Sequence, residues 1–206
     1  MARFAKFVPI GVGVVVLLLV AAGIWIVKRP TPVEHGILFV GDSVTYMSVA
    51  QLDAQVGAKD PIVIARVGFR SSDLLPLFKR YVGDRERRHL SLGQVALLVG
   101  YNDLLKRQVE SPALEEVMAL AGRFDCAIWL TLPPVPLRDD EVARWNQRVV
   151  ALARKYPHVH VVDDWREAVI AARPGVLVTR RDGVHPTEAG ARALSKIYVD
   201  AVHREC

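Results

Sequence analysis

Five short apolar runs, Ile37–Val40, Ile62–Ala65, Val95–Val99, Ala127–Thr131 and Val159–Val162, alternate with stretches whose apolar residues recur at helical spacing. Runs of four or five residues are too short for helices. Their near-continuous apolar character is what a parallel strand buried on both faces requires. Parallel neighbours must be joined by crossovers, and the intervening stretches supply them as helices: after Ser43, after Ser71, from Ser111-Pro112 to Arg123, from about Asp140 to Tyr156, and from Pro186 to the C-terminus. In the fourth of these, Val142, Trp145, Val149 and Leu152 share one face while Arg144, Gln147 and Arg148 occupy the other. The pattern predicts an α/β fold over residues 36–206, a three-layer α/β/α sandwich around a flavodoxin-like, doubly wound parallel sheet of about five strands. A domain of this length buries a single core, and no internal repeat argues for a second one.

Open sheets of this kind bind ligands at the carboxyl ends of their strands, so the residues just after the apolar runs are the candidates for chemistry. Gly41-Asp42-Ser43 follows the first run, Gly68 the second and Gly100-Tyr101-Asn102-Asp103 the third, and Asp182-Gly183-Val184-His185 precedes the last helix. A serine hydroxyl is a weak nucleophile at neutral pH and needs a base within hydrogen-bond reach, itself oriented by a third group. Ser43, His185 and Asp182 fit these three roles. Acyl transfer also develops negative charge on a carbonyl oxygen, and each fixed donor aimed at it contributes roughly 2.7–4 kcal/mol. The backbone amides of Ser43 and Gly68 and the side-chain amide of Asn102 are the candidate oxyanion donors. Pro186 suits the first turn of the final helix, where a missing N–H costs nothing.

In order and spacing, these blocks resemble those of the SGNH hydrolases, also called the GDSL lipase/esterase family, over about residues 36–204. Val44 departs from the leucine of the family nickname, and Thr45 after it still fits. The resemblance implies Ser43 as nucleophile, Gly68 and Asn102 as oxyanion-hole donors, and Asp182 and His185 as the rest of a catalytic triad. It further implies cleavage of a small-molecule, lipid or glycan ester through a covalent acyl-enzyme, with no organic cofactor. The same triad serves transfer of an acyl group to a sugar or lipid hydroxyl, and an idle module holding a glycan or lipid is a third reading. The intact set of Ser43, Asn102, Asp182 and His185 counts against the last.

From Phe7 to Val27 the chain carries no charge, a stretch of about 21 residues or roughly 31 Å as a helix. A secretory signal has an apolar region of about 7–15 residues, so this longer stretch reads as a retained transmembrane anchor, with cleavage near Val20-Ala21-Ala22 as the alternative. Residues 1–6 form a short tail, and residues 28–35, with Pro30 and Pro32, a stiff spacer. The catalytic domain is expected outside the cytoplasm on a single-pass membrane protein. Of the net charge of +5, four charges belong to Arg3, Lys6, Lys28 and Arg29; the rest of the chain has 23 of the 27 basic residues against 22 acidic ones. So balanced a domain lacks the basic field of a nucleic-acid binder. The basic segment from Lys79 to His89 reads as a solvated helix end. Cys126 reads as a buried core thiol and Cys206 ends the chain; the two predict neither a disulfide framework nor a metal site. His158 and His160 have no further ligands to join them, so no metal is expected.

Overall fold

All five expected strands form, as β1 (Ile37–Gly41), β2 (Ile62–Ala65), β3 (Gln94–Leu98), β4 (Cys126–Leu130) and β5 (Val159–Val162). They make one parallel sheet in the order β2-β1-β3-β4-β5, the flavodoxin-like arrangement. The structure, a computed structural model, describes residues 36–56, 61–136 and 138–206. The expected tail (1–6), membrane-spanning segment (7–27) and spacer (28–35) lie outside the described residues. Among the described residues no helix is long and apolar enough to cross a membrane.

Central position explains the composition of β1: covered on both faces and both edges, all five of its residues are buried. The chain leaves β1 toward β2 on one side and returns to β3 on the other. The strand order therefore reverses at β1, which places the ligand crevice of such a sheet beyond the carboxyl end of that strand.

Among the described residues eight helices complete the layers: α1 (Ser43–Tyr46), α2 (Val49–Val56), α3 (Ser71–Arg87), α4 (Tyr101–Leu105), α5 (Pro112–Ala121), α6 (Asp139–Ala153), α7 (Asp164–Ala171) and α8 (Glu188–Glu205). Helix α5 packs on α3 and on α6 in one layer, and α8 packs on α2 and α7 in the other. The apolar stripe of α6 is buried as its spacing requires, through Val142, Trp145, Val149 and Leu152. At the end of α3, Lys79 pairs with Glu116, and Arg80 and Arg87 with Asp84, as a solvated helix end does.

Two expectations need correction. Helix α8 does not include Pro186: Thr187 caps it, its hydroxyl accepting from the Gly190 N–H at 3.0 Å, while Pro186 forms an isolated bridge with Val178. The stretch before the cap stays extended because the Thr179 N–H donates to the His185 carbonyl at 2.9 Å. Nor is Cys126 a free thiol. It is bonded to Cys206, 80 residues away, with Cα atoms 5.8 Å apart. Cys126 opens β4 at the amino edge of the sheet, and α8 runs back across that layer to deliver the last residue there. The bond closes a loop long enough to restrict the unfolded chain substantially. Replacing Cys206 by serine should therefore lower stability by roughly 2–4 kcal/mol, or about 5–15 °C in melting temperature. Equal melting of the variant and the oxidised parent would show that the bond contributes nothing.

Candidate active site

Asp42 ends the turn out of β1 and caps α1, its Oδ1 accepting from the Val44 N–H at 3.0 Å. This cap makes Ser43 the first residue of α1, at the carboxyl end of the central strand, with only 5% of its surface exposed. Its Oγ lies 3.0 Å from His185 Nε2. On the other side of the ring, His185 Nδ1 lies 2.9 Å from Asp182 Oδ2. A carboxylate only accepts, so the Nδ1 carries the hydrogen and Nε2 is left as acceptor for the Ser43 hydroxyl. In this geometry the imidazole can take the serine proton and return it.

Asp182 is held by more than the imidazole. Its Oδ1 accepts from the Thr179 hydroxyl and from the Val184 and His185 N–H groups, each at 2.9 Å. Partial burial disfavours its charge, but the His185 ring, these two amides and the Thr179 hydroxyl together outweigh it and hold the carboxyl well below the usual range. Asp182 is thus ionised at neutral pH. The side chains of Asp182 and His185 are each 37% exposed, so the pair lies at an open rim rather than in a closed cavity.

Gly68 and Asn102 lie at the ends of the strands that flank β1, whose Gly41 is in register with Ala65 on β2 and Leu98 on β3. Residues Arg66 to Phe69 form a turn closed by the Phe69 N–H on the Arg66 carbonyl at 3.4 Å, with Gly68 at φ +81°. That backbone state is why glycine stands there. A methyl group at Gly68 would meet nothing within 4 Å. Asn102 is the second residue of α4 and donates from Nδ2 to the Phe69 carbonyl at 3.0 Å. One of its two amide hydrogens is thereby used, and the other is left for a ligand. Gly100, before this helix, has φ +136°, and the Trp145 ring occupies the space its side chain would need.

Sequence reasoning assigned no role to several residues that build this site. Buried Asp103 accepts from both the Ser71 N–H, at 2.9 Å, and the Ser71 hydroxyl, at 2.6 Å. It thereby clamps the segment after Gly68 to the helix carrying Asn102. Trp145 donates from Nε1 to the Val99 carbonyl at 3.1 Å and fixes the turn between β3 and α4. Thr179 steadies Asp182. Asp103 and Thr179 lie close in sequence to motif residues, beside Asn102 and three before Asp182, whereas Trp145 is visible only as part of the apolar stripe of α6.

Asp42 is fully buried, and its Oδ2 has no partner among the described residues. Burial pushes this carboxyl up to about 7, against the Val44 N–H and the positive potential of His185. A native value above the unfolded 3.8 means that the folded protein keeps a proton the unfolded chain has released, so this group makes stability fall between about pH 4 and pH 7. Asp42→Asn keeps the acceptor for Val44 and removes the titration. Denaturant melts should show it stabilised relative to the parent at pH 8 and little changed at pH 4; equal shifts at both would contradict this account.

No protein-family model matches the chain, and no curated protein does. Solved structures do. A GDSL-like lipase from Bacteroides thetaiotaomicron superposes with a TM-score of 0.65 at 18% identity, covering 92% of this chain and 98% of that one. A member of the lipolytic G-D-S-L family from Veillonella parvula gives 0.65 at 18% identity, over 82% of this chain and 99% of the other. The C-terminal catalytic domain of the peptidoglycan O-acetyltransferase A of Streptococcus pneumoniae gives 0.57 at 17% identity, over 83% and 92%. The chain thus shares the fold of these GDSL-type proteins.

Proposed function

We propose that the protein is a serine esterase that cleaves carboxylic esters through a covalent acyl-enzyme. The observation that carries this is the unbroken relay from Ser43 Oγ to His185 Nε2, at 3.0 Å, and from His185 Nδ1 to Asp182 Oδ2, at 2.9 Å. In the first step Ser43 Oγ bonds to the ester carbonyl carbon as its proton passes to His185 Nε2. The tetrahedral intermediate then collapses, the alkoxide leaving with that proton as an alcohol. A water deprotonated by the same nitrogen next attacks the acyl-serine, and collapse returns the proton to Ser43 Oγ as the acid departs. The Ser43 and Gly68 amides and the free Asn102 hydrogen are the donors for the oxyanion.

A fluorophosphonate probe tests the proposal directly. It should attach to intact protein, and digestion should locate the adduct on Ser43; no adduct, or one elsewhere, overturns the assignment. Asn102→Ala should lower kcat by about 10²–10³. It should lower the melting temperature by no more than about 2–4 °C, the equivalent of one hydrogen bond. Unchanged turnover would remove Asn102 from the oxyanion hole.

Transfer of the acyl group to an alcohol is the second reading, supported by the likeness to an O-acetyltransferase domain. Turnover with and without a sugar acceptor, read as acylated sugar against free acid, separates the two. Residues 7–27 anchor the chain in the cell membrane, and the catalytic domain works outside the cytoplasm. The Cys126–Cys206 bond supports that placement, since disulfides persist in oxidising compartments.

A further inference from the structure

Single apolar side chains scattered over a protein surface need no explanation, but a group of them in one place marks a contact surface. Among the described residues, four of the eight large apolar side chains that are exposed stand on the three short segments that supply Ser43, Gly68 and Asn102. Tyr46 and Met47 lie one turn beyond Ser43, Val67 directly precedes Gly68, and Leu105 lies one turn beyond Asn102.

Hydrogen bonds and helical spacing set how close two of these are to the candidate oxyanion donors. In α4 Tyr101, Asp103 and Leu104 are buried, so Asn102 and Leu105 form its open face. Three positions apart on a helix, their Cβ atoms are roughly 5–6 Å from each other. The Asn102 side chain in turn donates to the Phe69 carbonyl at 3.0 Å, which ties α4 to the turn Arg66–Phe69, where Val67 holds the second position beside Gly68. Val67 is 65% exposed and Leu105 56%. Turn chemistry does not ask for valine there, since proline and small polar residues are the favoured occupants. The cations next to it have partners of their own: the Arg66 guanidinium lies 5.9 Å from the Phe69 ring centroid, and Arg70 binds Asp73 at 3.0 Å.

The chemistry of the reaction selects which half of an ester meets these side chains. The carbonyl oxygen must lie among the Ser43, Gly68 and Asn102 donors, and the leaving oxygen beside His185 Nε2, which protonates it. His185 comes from the loop before α8, whereas Val67 and Leu105 belong to the segments that carry the donors. The acyl chain, bonded to the same carbon as the oxyanion, is the part laid along them.

We infer that Val67 and Leu105 form an apolar wall for the acyl chain, which makes the protein select esters of medium-chain acids over acetyl esters. The inference rests on the serine esterase reading. Neither side chain can hydrogen-bond to a sugar hydroxyl, and both match methylene groups. Tyr46 and Met47, just past Ser43, add to the same apolar surface. The catalytic pair stands at an open rim, so each methylene is covered on one side and gains less than full burial would give.

The full-length protein is assayed on two series: 4-nitrophenyl acetate, butyrate and octanoate, which vary the acyl chain, and ethyl, butyl and octyl acetate, which vary the alcohol. In the first series kcat/KM should rise about tenfold or more from acetate to octanoate. Val67→Ser and Leu105→Ser should each lower that ratio by about 3–10-fold, while Val67→Ile and Leu105→Met, which keep apolar bulk, should retain it. Ile170→Ser, an exposed apolar position on α7, should leave the ratio unchanged, which separates the wall from a general effect of surface polarity. A flat acyl series, a rise confined to the alcohol series, or a ratio that neither serine variant moves overturns the wall. Failure of every ester together with an unlabelled Ser43 sinks the esterase reading instead. The wall is then decided by calorimetric titration with decanoate, where saturable binding weakened in the Val67→Ser/Leu105→Ser double variant sustains it, and no binding or no difference overturns it.

Discussion

Ser43→Ala is expected to lower kcat by about 10⁶ while leaving the fold intact. The hydroxyl is the atom that becomes covalently bonded, so no neighbouring group can replace it. Its loss leaves His185 Nε2 without its partner at 3.0 Å, but that side chain is 37% exposed and water can take up the bond. The Asp42 cap on the Val44 amide does not involve the serine side chain, so α1 keeps its start. His185→Ala should cost a similar factor, and the double variant no more than either single one, because base and nucleophile act in one step. Single-turnover kinetics on an activated ester, with melting curves for each protein, measure this. Losses that multiply in the double variant would show that the two residues work separately. A Ser43→Ala enzyme retaining more than about 1% of its turnover would end the proposal.

Asp182→Asn carries the second-largest effect, a fall in kcat of about 10⁴. The substitution isolates tautomer from geometry. Oδ1 can keep its three donors, the Thr179 hydroxyl and the Val184 and His185 amides, so the loop stays in place. Opposite His185 Nδ1, however, an acceptor becomes an NH₂ donor. The ring responds by moving its hydrogen to Nε2, where it faces Ser43 and can no longer accept the serine proton. Nitrogen-resolved NMR of the imidazole should report that change of tautomer, and melting should move little. A loss below tenfold would mean that Asp182 serves the loop and not the base.

Elements that depend on local chain chemistry were legible in the amino-acid order. A strand covered on both faces must be apolar throughout, which made β1 and β4 visible as runs, and α6 revealed itself by its stripe. Short helices without such a stripe did not: α4 has five residues, and α7 buries only Trp165. Both exist because neighbours receive them, α4 through the Asp103–Ser71 clamp and the Trp145 ring under Gly100. The Cys126–Cys206 bond was misread for a related reason. Eighty residues separate the two cysteines, and nothing in either local setting records that α8 ends beside the start of β4.

The candidate site divides along the same line. Asp182 and His185 are three residues apart, a span over which one turn sets the geometry, so their pairing could be read directly from spacing. Ser43 and His185 are separated by 142 residues, and their 3.0 Å approach exists only because β1 occupies the middle of the sheet and α8 is threaded behind it. Residue order by itself determined which groups are able to react, since chemical type and short-range turns are local properties. Only the tertiary structure decided which of them meet, because long-range distance is set by packing, as is the burial that lifts Asp42.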